Sequence, residues 1–171
     1  MIKNFLKNHS MHKNIVPYFD TFFLFRPTLF FAVWVMLCIG MYLGHLKLID
    51  YPQWITSVDY KTILLFIGIT LVIGATFITN QIYDSEIDKE NEKLHILNNH
   101  INKSYAEKIY KISLLIGFVF ILLTNIYNVI SSIVIYFIWN YLYNSKKFEW
   151  RKHPLLGPMC NMFVGSILIF S

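Results

Sequence analysis

Of the ten acidic residues in this 171-residue chain, five fall within nine positions: Asp84, Glu86, Asp88, Glu90 and Glu92. The cluster begins where a long apolar run stops, in Thr79-Asn80-Gln81-Ile82-Tyr83-Asp84-Ser85-Glu86-Ile87-Asp88. Asn80, Asp84 and Asp88 are spaced i, i+4, i+8, and on a helix that spacing lines side chains along one face. Three oxygen-bearing groups on one face suit a hard cation, and through it a polyanionic ligand such as a diphosphate. Two other readings compete for these residues. A solvated, mixed-charge connector explains why Lys89 and Lys93 alternate with the acids. An EF-hand loop starting at Asp84 fits less well, because its sixth position is Lys89 where Gly is needed and its twelfth is His95 where a bidentate Glu is needed.

Composition says what must hold such a motif in place. The chain is 56% hydrophobic and only 15% charged, against about 25% charged in soluble domains, and the deficit points to lipid. Residues 27–46, 62–83, 112–145 and 155–171 contain no Asp, Glu, Lys or Arg. A spanning helix needs about 20 apolar residues, so the first two stretches hold one helix each. The third is too long for one span and breaks at Thr124-Asn125-Ile126-Tyr127-Asn128, which predicts two helices joined by a tight turn. The fourth is slightly short. The expectation is an all-α, multi-span transmembrane helix bundle forming one membrane domain over residues 1–171. It has four complete spans and a truncated fifth, at residues 24–46, 62–83, 106–124, 127–144 and 155–171. An acidic loop over 84–104, with a turn at Asn98-Asn99, joins the second span to the third.

Orientation follows from the basic residues. Lys3, Lys7, Lys13 and Arg26 precede the first span; Lys89, Lys93, Lys103, Lys108 and Lys111 lie between the second and third; Lys146, Lys147, Arg151 and Lys152 follow the fourth. Only Lys47 and Lys61 fall on the opposite face. The N-terminus, the acidic loop and the 144–154 loop are therefore expected on the cytoplasmic side. The net charge of +5 is a topology signal, and it carries no nucleic-acid footprint. Cys38 and Cys160 both sit in apolar segments, as packed hydrophobes rather than a disulfide or a metal pair.

The string from Asn80 through Asp84 and Asp88 to Asn91 and Lys93 resembles the first Asp-rich motif of the UbiA superfamily of intramembrane prenyltransferases. That motif reads Asn-x-x-x-Asp-x-x-x-Asp at the cytoplasmic end of the second span, with an Asn and a basic residue after it. Gln81 departs from it, standing where many members carry a second Asp. Arg26-Pro27 at the head of the first span, Tyr143-Asn144 followed by Arg151-Lys152, and Asn161 in the apolar segment beyond extend the resemblance over essentially the whole chain. It implies Mg²⁺-dependent transfer of an isoprenoid chain from a prenyl diphosphate to a hydrophobic acceptor, aromatic or lipid. Asn80, Asp84 and Asp88 would hold the metal, with Asp84 and Asp88 as the catalytic carboxylates. Arg26, Tyr143, Arg151, Lys152 and Asn161 would contact the substrate. The chemistry suits these residue types: a carboxylate-held cation neutralises charge developing on a leaving diphosphate, and a guanidinium fork matches phosphate oxygens.

The resemblance also implies a larger bundle with a second Asp-rich motif in its second half. No Asp-x-x-x-Asp spacing occurs after Asp88, so the chain reads as an N-terminal half, incomplete as a catalyst on its own, with a C-terminal half as its missing partner. The alternative from another class is a non-catalytic membrane subunit or assembly protein whose acidic loop docks a partner through Glu86, Glu90 and Glu92. An ion or solute carrier lacks support, because no ionisable residue lies mid-span.

Overall fold

The computed structural model describes residues 10–48, 58–90, 101–145 and 147–170. The described residues are 86% helical, with no strand among them. The helices are α1 (Ser10–Leu24), α2 (Phe30–Leu48), α3 (Tyr60–Glu90), α4 (Lys103–Leu122), α5 (Ile126–Tyr136) and α6 (Leu156–Ile169). Short 3-10 turns lie at Pro27–Leu29 and Trp150–Lys152, and a π-helical stretch, Phe137–Tyr143, continues α5. Three segments among the described residues are long and apolar enough to cross a membrane: Ile15–Gly44, Tyr60–Ser85 and Ile126–Tyr143; α6 is a shorter apolar helix. α4 has the length, but Lys103, Glu107, Lys108 and Lys111 occupy its first turns, leaving only its second half continuously apolar. The helical membrane bundle expected from the charge-free stretches is the observed fold.

Two element boundaries differ from the sequence expectation, each for a local reason. The first apolar stretch is not one helix from residue 24. A proline disfavours α geometry in the residue before it, and Arg26, ahead of Pro27, takes a left-handed conformation with φ 51° and ψ 61°. α1 therefore ends at Leu24, and α2 starts only at Phe30. The segment expected as an acidic loop over 84–104 is helical as far as Glu90. No Gly or Pro interrupts residues 75–90, and Ile, Glu and Lys are compatible with a helix. An EF-hand loop starting at Asp84 is excluded by the same continuation. Residues 91–100, with the expected Asn98-Asn99 turn, lie outside the described residues. Farther on, the polar break at 124–128 is a turn as expected, with the Asn125 side chain accepting from the Tyr127 N–H at 3.1 Å to cap α5. Neither cysteine forms a disulfide; Cys160 is buried in packing and Cys38 lies on an exposed face.

α3 is the central helix and runs antiparallel to both neighbours. Toward α2, the Trp34 indole N–H donates to Thr70 Oγ1 at 2.9 Å, and the rings of Phe30 and Phe77 stack 6.0 Å apart. Toward α4, Gly68 and Gly117 face each other. A Cβ on Gly68 would lie 2.6 Å from Ile121 Cγ1 and 2.9 Å from the Gly117 carbonyl oxygen. Small residues let membrane helices approach this closely, and the gain is van der Waals contact between backbones. Val72 and Ile121 are buried along this seam, and Ile69 and Ile73 are buried in the same core. α2 and α6 touch at Gly40, where a side chain would run into the Ile169 carbonyl. Toward their N-terminal ends a cavity lies between them.

Candidate functional site

The site is built on the last turns of α3. Thr76, Asn80 and Asp84 follow one another at four-residue spacing; Thr76 is buried, whereas Asn80 and Asp84 are half-buried. Opposite them stands the π-helical stretch, where the Asn144 N–H donates to the carbonyl of Trp139, five residues back, at 3.2 Å. Such widened turns recur at functional sites, and this one brings Trp139, Tyr143 and Asn144 to a single wall. Asn144 is buried, and its Nδ2 donates to the Thr76 carbonyl at 3.2 Å. Its Oδ1 has no partner, an unusual state for a buried polar atom.

The next segment supplies the cation. Glu149 takes a left-handed conformation (φ 44°) and leads into the Trp150–Lys152 turn. From that turn Arg151 reaches back to α3, its Nη1 donating to Asn80 Oδ1 at 2.7 Å and pairing with Asp84 Oδ1 at 2.5 Å. The side chains of Arg151 and Asp84 are 13% and 23% exposed, so the pair is largely shielded from water. Lys152 points elsewhere, pairing with Glu149 Oε2 at 2.8 Å.

A cavity of about 370 Å³ opens beside this junction, between α2, α3, the π-helical stretch and α6. Arg26, Asn80, Tyr143, Asn144 and Asn161 provide its polar lining; Val33, Met36, Phe77, Trp139, Val164 and Leu168 provide apolar wall. The Trp139 indole N–H donates to Asn161 Oδ1 at 3.1 Å and its ring lies 5.8 Å from that of Phe77, which fixes the wall. Ligand pockets run from about 300 to 1,000 Å³, and one with both polar and apolar lining suits a molecule with a charged head and a hydrocarbon body.

Of the residues singled out from sequence, Arg26, Asn80, Tyr143 and Asn161 line the cavity, and Asp84 and Arg151 meet Asn80 at its edge. Lys152 is drawn to Glu149 instead. Asp88 lies on the continuing α3 helix, but its side chain is outside the described residues. Among the described residues no three His, Cys, Asp or Glu side chains gather as a metal cluster. Asn80 and Asp84 nevertheless present oxygen atoms to one and the same nitrogen, and so converge on a single point of positive charge. A hard cation that keeps waters and takes only one or two carboxylates, as Mg²⁺ does, is compatible with that donor set.

A model of the UbiA prenyltransferase family matches residues 33–171. The chain belongs to the UbiA prenyltransferase family. Comparison with curated proteins and with solved structures returned no match. The matched region runs from Val33 on the cavity wall through Asn80 and Asp84 to Arg151 and Asn161, and Arg26 precedes it. Family membership together with the apolar helices makes this an integral membrane protein.

Within this UbiA-family chain, two features of the site escaped the sequence reading. Asn144 belongs to the Tyr143-Asn144 pair of the resemblance, but that it turns inward depends on the π-helical winding, which has no period that a sequence reveals. Gln81, which departs from the family motif, does not face Arg151. Its Nε2 donates to the Leu24 carbonyl at 2.5 Å and ties the end of α1 to α3. A second cavity of about 480 Å³ lies between α3 and α4, near Tyr83, Tyr110, Lys111 and Asn140; none of the candidate site residues lines it.

Proposed function

We propose that this chain captures the diphosphate head of an isoprenoid substrate where Asn80, Asp84 and Arg151 meet, for Mg²⁺-dependent prenyl transfer to a hydrophobic acceptor, aromatic or lipid. The observation that supports this most is their convergence beside a part-polar, part-apolar cavity in a chain of the UbiA family. Asn80, Asp84 and Asp88 would hold Mg²⁺, which when bound supplies Lewis-acid neutralisation of a leaving diphosphate. Asp84 and Asp88 are the carboxylates on which that depends. Arg151 and Arg26 supply cationic donors to phosphate oxygens, with Tyr143 on the cavity wall between helices and Asn161 opposite. Lys152 remains at the rim in the pair with Glu149. The apolar wall takes the first part of the hydrocarbon chain and keeps water from it. By the distribution of Lys and Arg this face is cytoplasmic. In this reading the second acidic motif belongs to a C-terminal half acting with this chain.

The test is binding of farnesyl diphosphate to the chain in lipid nanodiscs, with Mg²⁺ or with EDTA. Binding that requires Mg²⁺ and is lost in Asp84→Asn and Asp88→Asn supports the proposal; binding indifferent to metal and to both substitutions sinks it. Neutralising Glu86, Glu90 and Glu92 together leaves Mg²⁺-dependent binding intact, whereas a docking role for the acidic segment would show as loss of a bound partner in that variant.

A further inference from the structure

Arg151 does more at this site than wait for a phosphate: it occupies the oxygens that a metal would use. Its Nη1 lies against both Asn80 Oδ1, at 2.7 Å, and Asp84 Oδ1, at 2.5 Å. One nitrogen between two oxygens resembles, in position and in sign, a cation held by those donors. Resting on the diphosphate reading above, we propose that Arg151 is an exchangeable counter-ion of the acidic motif. It holds Asn80 and Asp84 against divalent metal until a diphosphate arrives, then gives up those oxygens and transfers to the phosphate. Metal and diphosphate thereby enter as a pair, and metal alone is held weakly.

Three features of the structure carry this. First, the contact is made through a single nitrogen, whereas a guanidinium binds a carboxylate or phosphate best through two nitrogens in parallel. The resting pair is thus not the strongest that Arg151 can make, and a diphosphate offers the full fork. Second, the pair is 13% and 23% exposed. Shielding from water makes removal of one partner costly unless another charge replaces it, so release of Arg151 is favoured when metal and diphosphate arrive together. Third, Arg151 rides on a three-residue 3-10 turn entered through Glu149 at φ 44°. A left-handed backbone is disfavoured for a non-glycine residue, so the turn that presents Arg151 is held by its contacts and not by its own preference. Lys152, paired locally with Glu149, travels with the turn and leaves Arg151 as the one described cation in contact with Asp84.

The experiment reads metal binding rather than turnover. Mn²⁺, as a paramagnetic substitute for Mg²⁺, is titrated into the chain in nanodiscs and its bound fraction is followed by electron paramagnetic resonance, with and without inorganic pyrophosphate. Changing a group that contacts a metal's ligands alters metal affinity by about 10–100-fold, and displacing the Arg151 cation from Asn80 and Asp84 is expected at the lower end of that range. Wild type is expected to bind Mn²⁺ weakly alone and at least about tenfold more tightly with pyrophosphate. Arg151→Gln is expected to bind Mn²⁺ alone about tenfold more tightly than wild type and to lose most of the gain from pyrophosphate. Lys147→Gln, which removes the same charge from an exposed position nearby, should behave as wild type, and thermal unfolding of each variant establishes that it is folded. Arg151→Lys keeps the charge but not the fork; it should retain weak binding of metal alone, and it stands in should Arg151→Gln fail to fold. Equal affinity for Mn²⁺ alone in wild type and Arg151→Gln, with pyrophosphate coupling still present in wild type, overturns the exchange while leaving the diphosphate reading standing. No Mn²⁺ binding under any condition overturns both.

Discussion

Two stretches of α3 differ in how they meet their neighbours: around Gly68, against α4, the packing is closed, whereas from Phe77 to Asn80, against the π-helical stretch and α6, it is open. Toward α4, Gly68 and Gly117 bring the backbones together so closely that neither position has room for a Cβ, and Val72 and Ile121 pack against them. Toward the π-helical stretch and α6, Phe77, Trp139, Asn144 and Asn161 hold the helices apart, and a cavity of about 370 Å³ remains. The difference shows how a membrane bundle can make a site without a hydrophobic driving force between its helices. Where both partners offer small residues, backbones meet. Where both offer rings and amides linked by their own hydrogen bonds, such as Trp139 to Asn161 and Asn144 to Thr76, the spacing is fixed and the gap persists.

The sharpest way to separate the flanks is to disturb the open one without touching its packing. Asp84→Asn changes charge but hardly volume, and it should weaken Mg²⁺-dependent binding of a prenyl diphosphate by about 100-fold or more, since even the loss of a group that merely supports a metal ligand costs about 10–100-fold. The melting temperature in detergent should change far less than the affinity. Breaking the closed flank should do the converse. Gly117→Leu forces a side chain into Val72 and the Gly68 carbonyl, and overpacking of this kind costs about 1–3 kcal/mol, read as a lower unfolding midpoint in denaturant.

Asn144→Leu tests whether the gap is held by its amide. It removes the Asn144 donor to the Thr76 carbonyl, which as a mid-helix group keeps its intrahelical bond, so the loss is that of one net hydrogen bond, about 0.5–1.5 kcal/mol. Part of that should be regained here, because the substitution also removes the unpartnered Asn144 Oδ1. The expected result is a smaller loss of stability than in Gly117→Leu, with measurably weaker diphosphate binding. The least effect lies far from both flanks, at the head of α3. The Thr62 side chain, and then its backbone N–H, hydrogen-bond the Asp59 carboxyl and hold it below the usual carboxylate range. A group whose pKa is lowered by folding stabilises the fold above its unfolded pKa, and that contribution fades as pH falls through the lowered value. Unfolding midpoints of wild type and Asp59→Asn should differ slightly at neutral pH and converge under acid conditions, because Asp59 is fully exposed.

Much of this arrangement was legible beforehand because lipid imposes strong rules. Charge-free stretches of the right length read as spans, the break at 124–128 read as a turn, and the i, i+4, i+8 spacing of Asn80, Asp84 and Asp88 placed them on one helical face. The local departures came from features with weaker signatures. Arg26 adopts a left-handed backbone ahead of Pro27, so that the span expected from residue 24 starts its helix only at Phe30, behind a separate α1. The acidic segment stays helical to Glu90 because none of its residues breaks a helix, although its charge suggested a loop.

Sequence alone determined the class of the molecule and the chemistry available to it: an α-helical membrane bundle with oxygen donors at the end of its second span and cationic side chains after its fourth. Those follow from composition and from periods that one helix imposes on its own residues. Tertiary structure decided the pairing. That Arg151 rather than Lys152 reaches Asp84, and that Asn144 turns inward to Thr76, both depend on contacts between residues some 70 positions apart. Such contacts are set by π-helical winding, by a strained turn at Glu149 and by where glycines let backbones meet, and none of these is periodic along the chain.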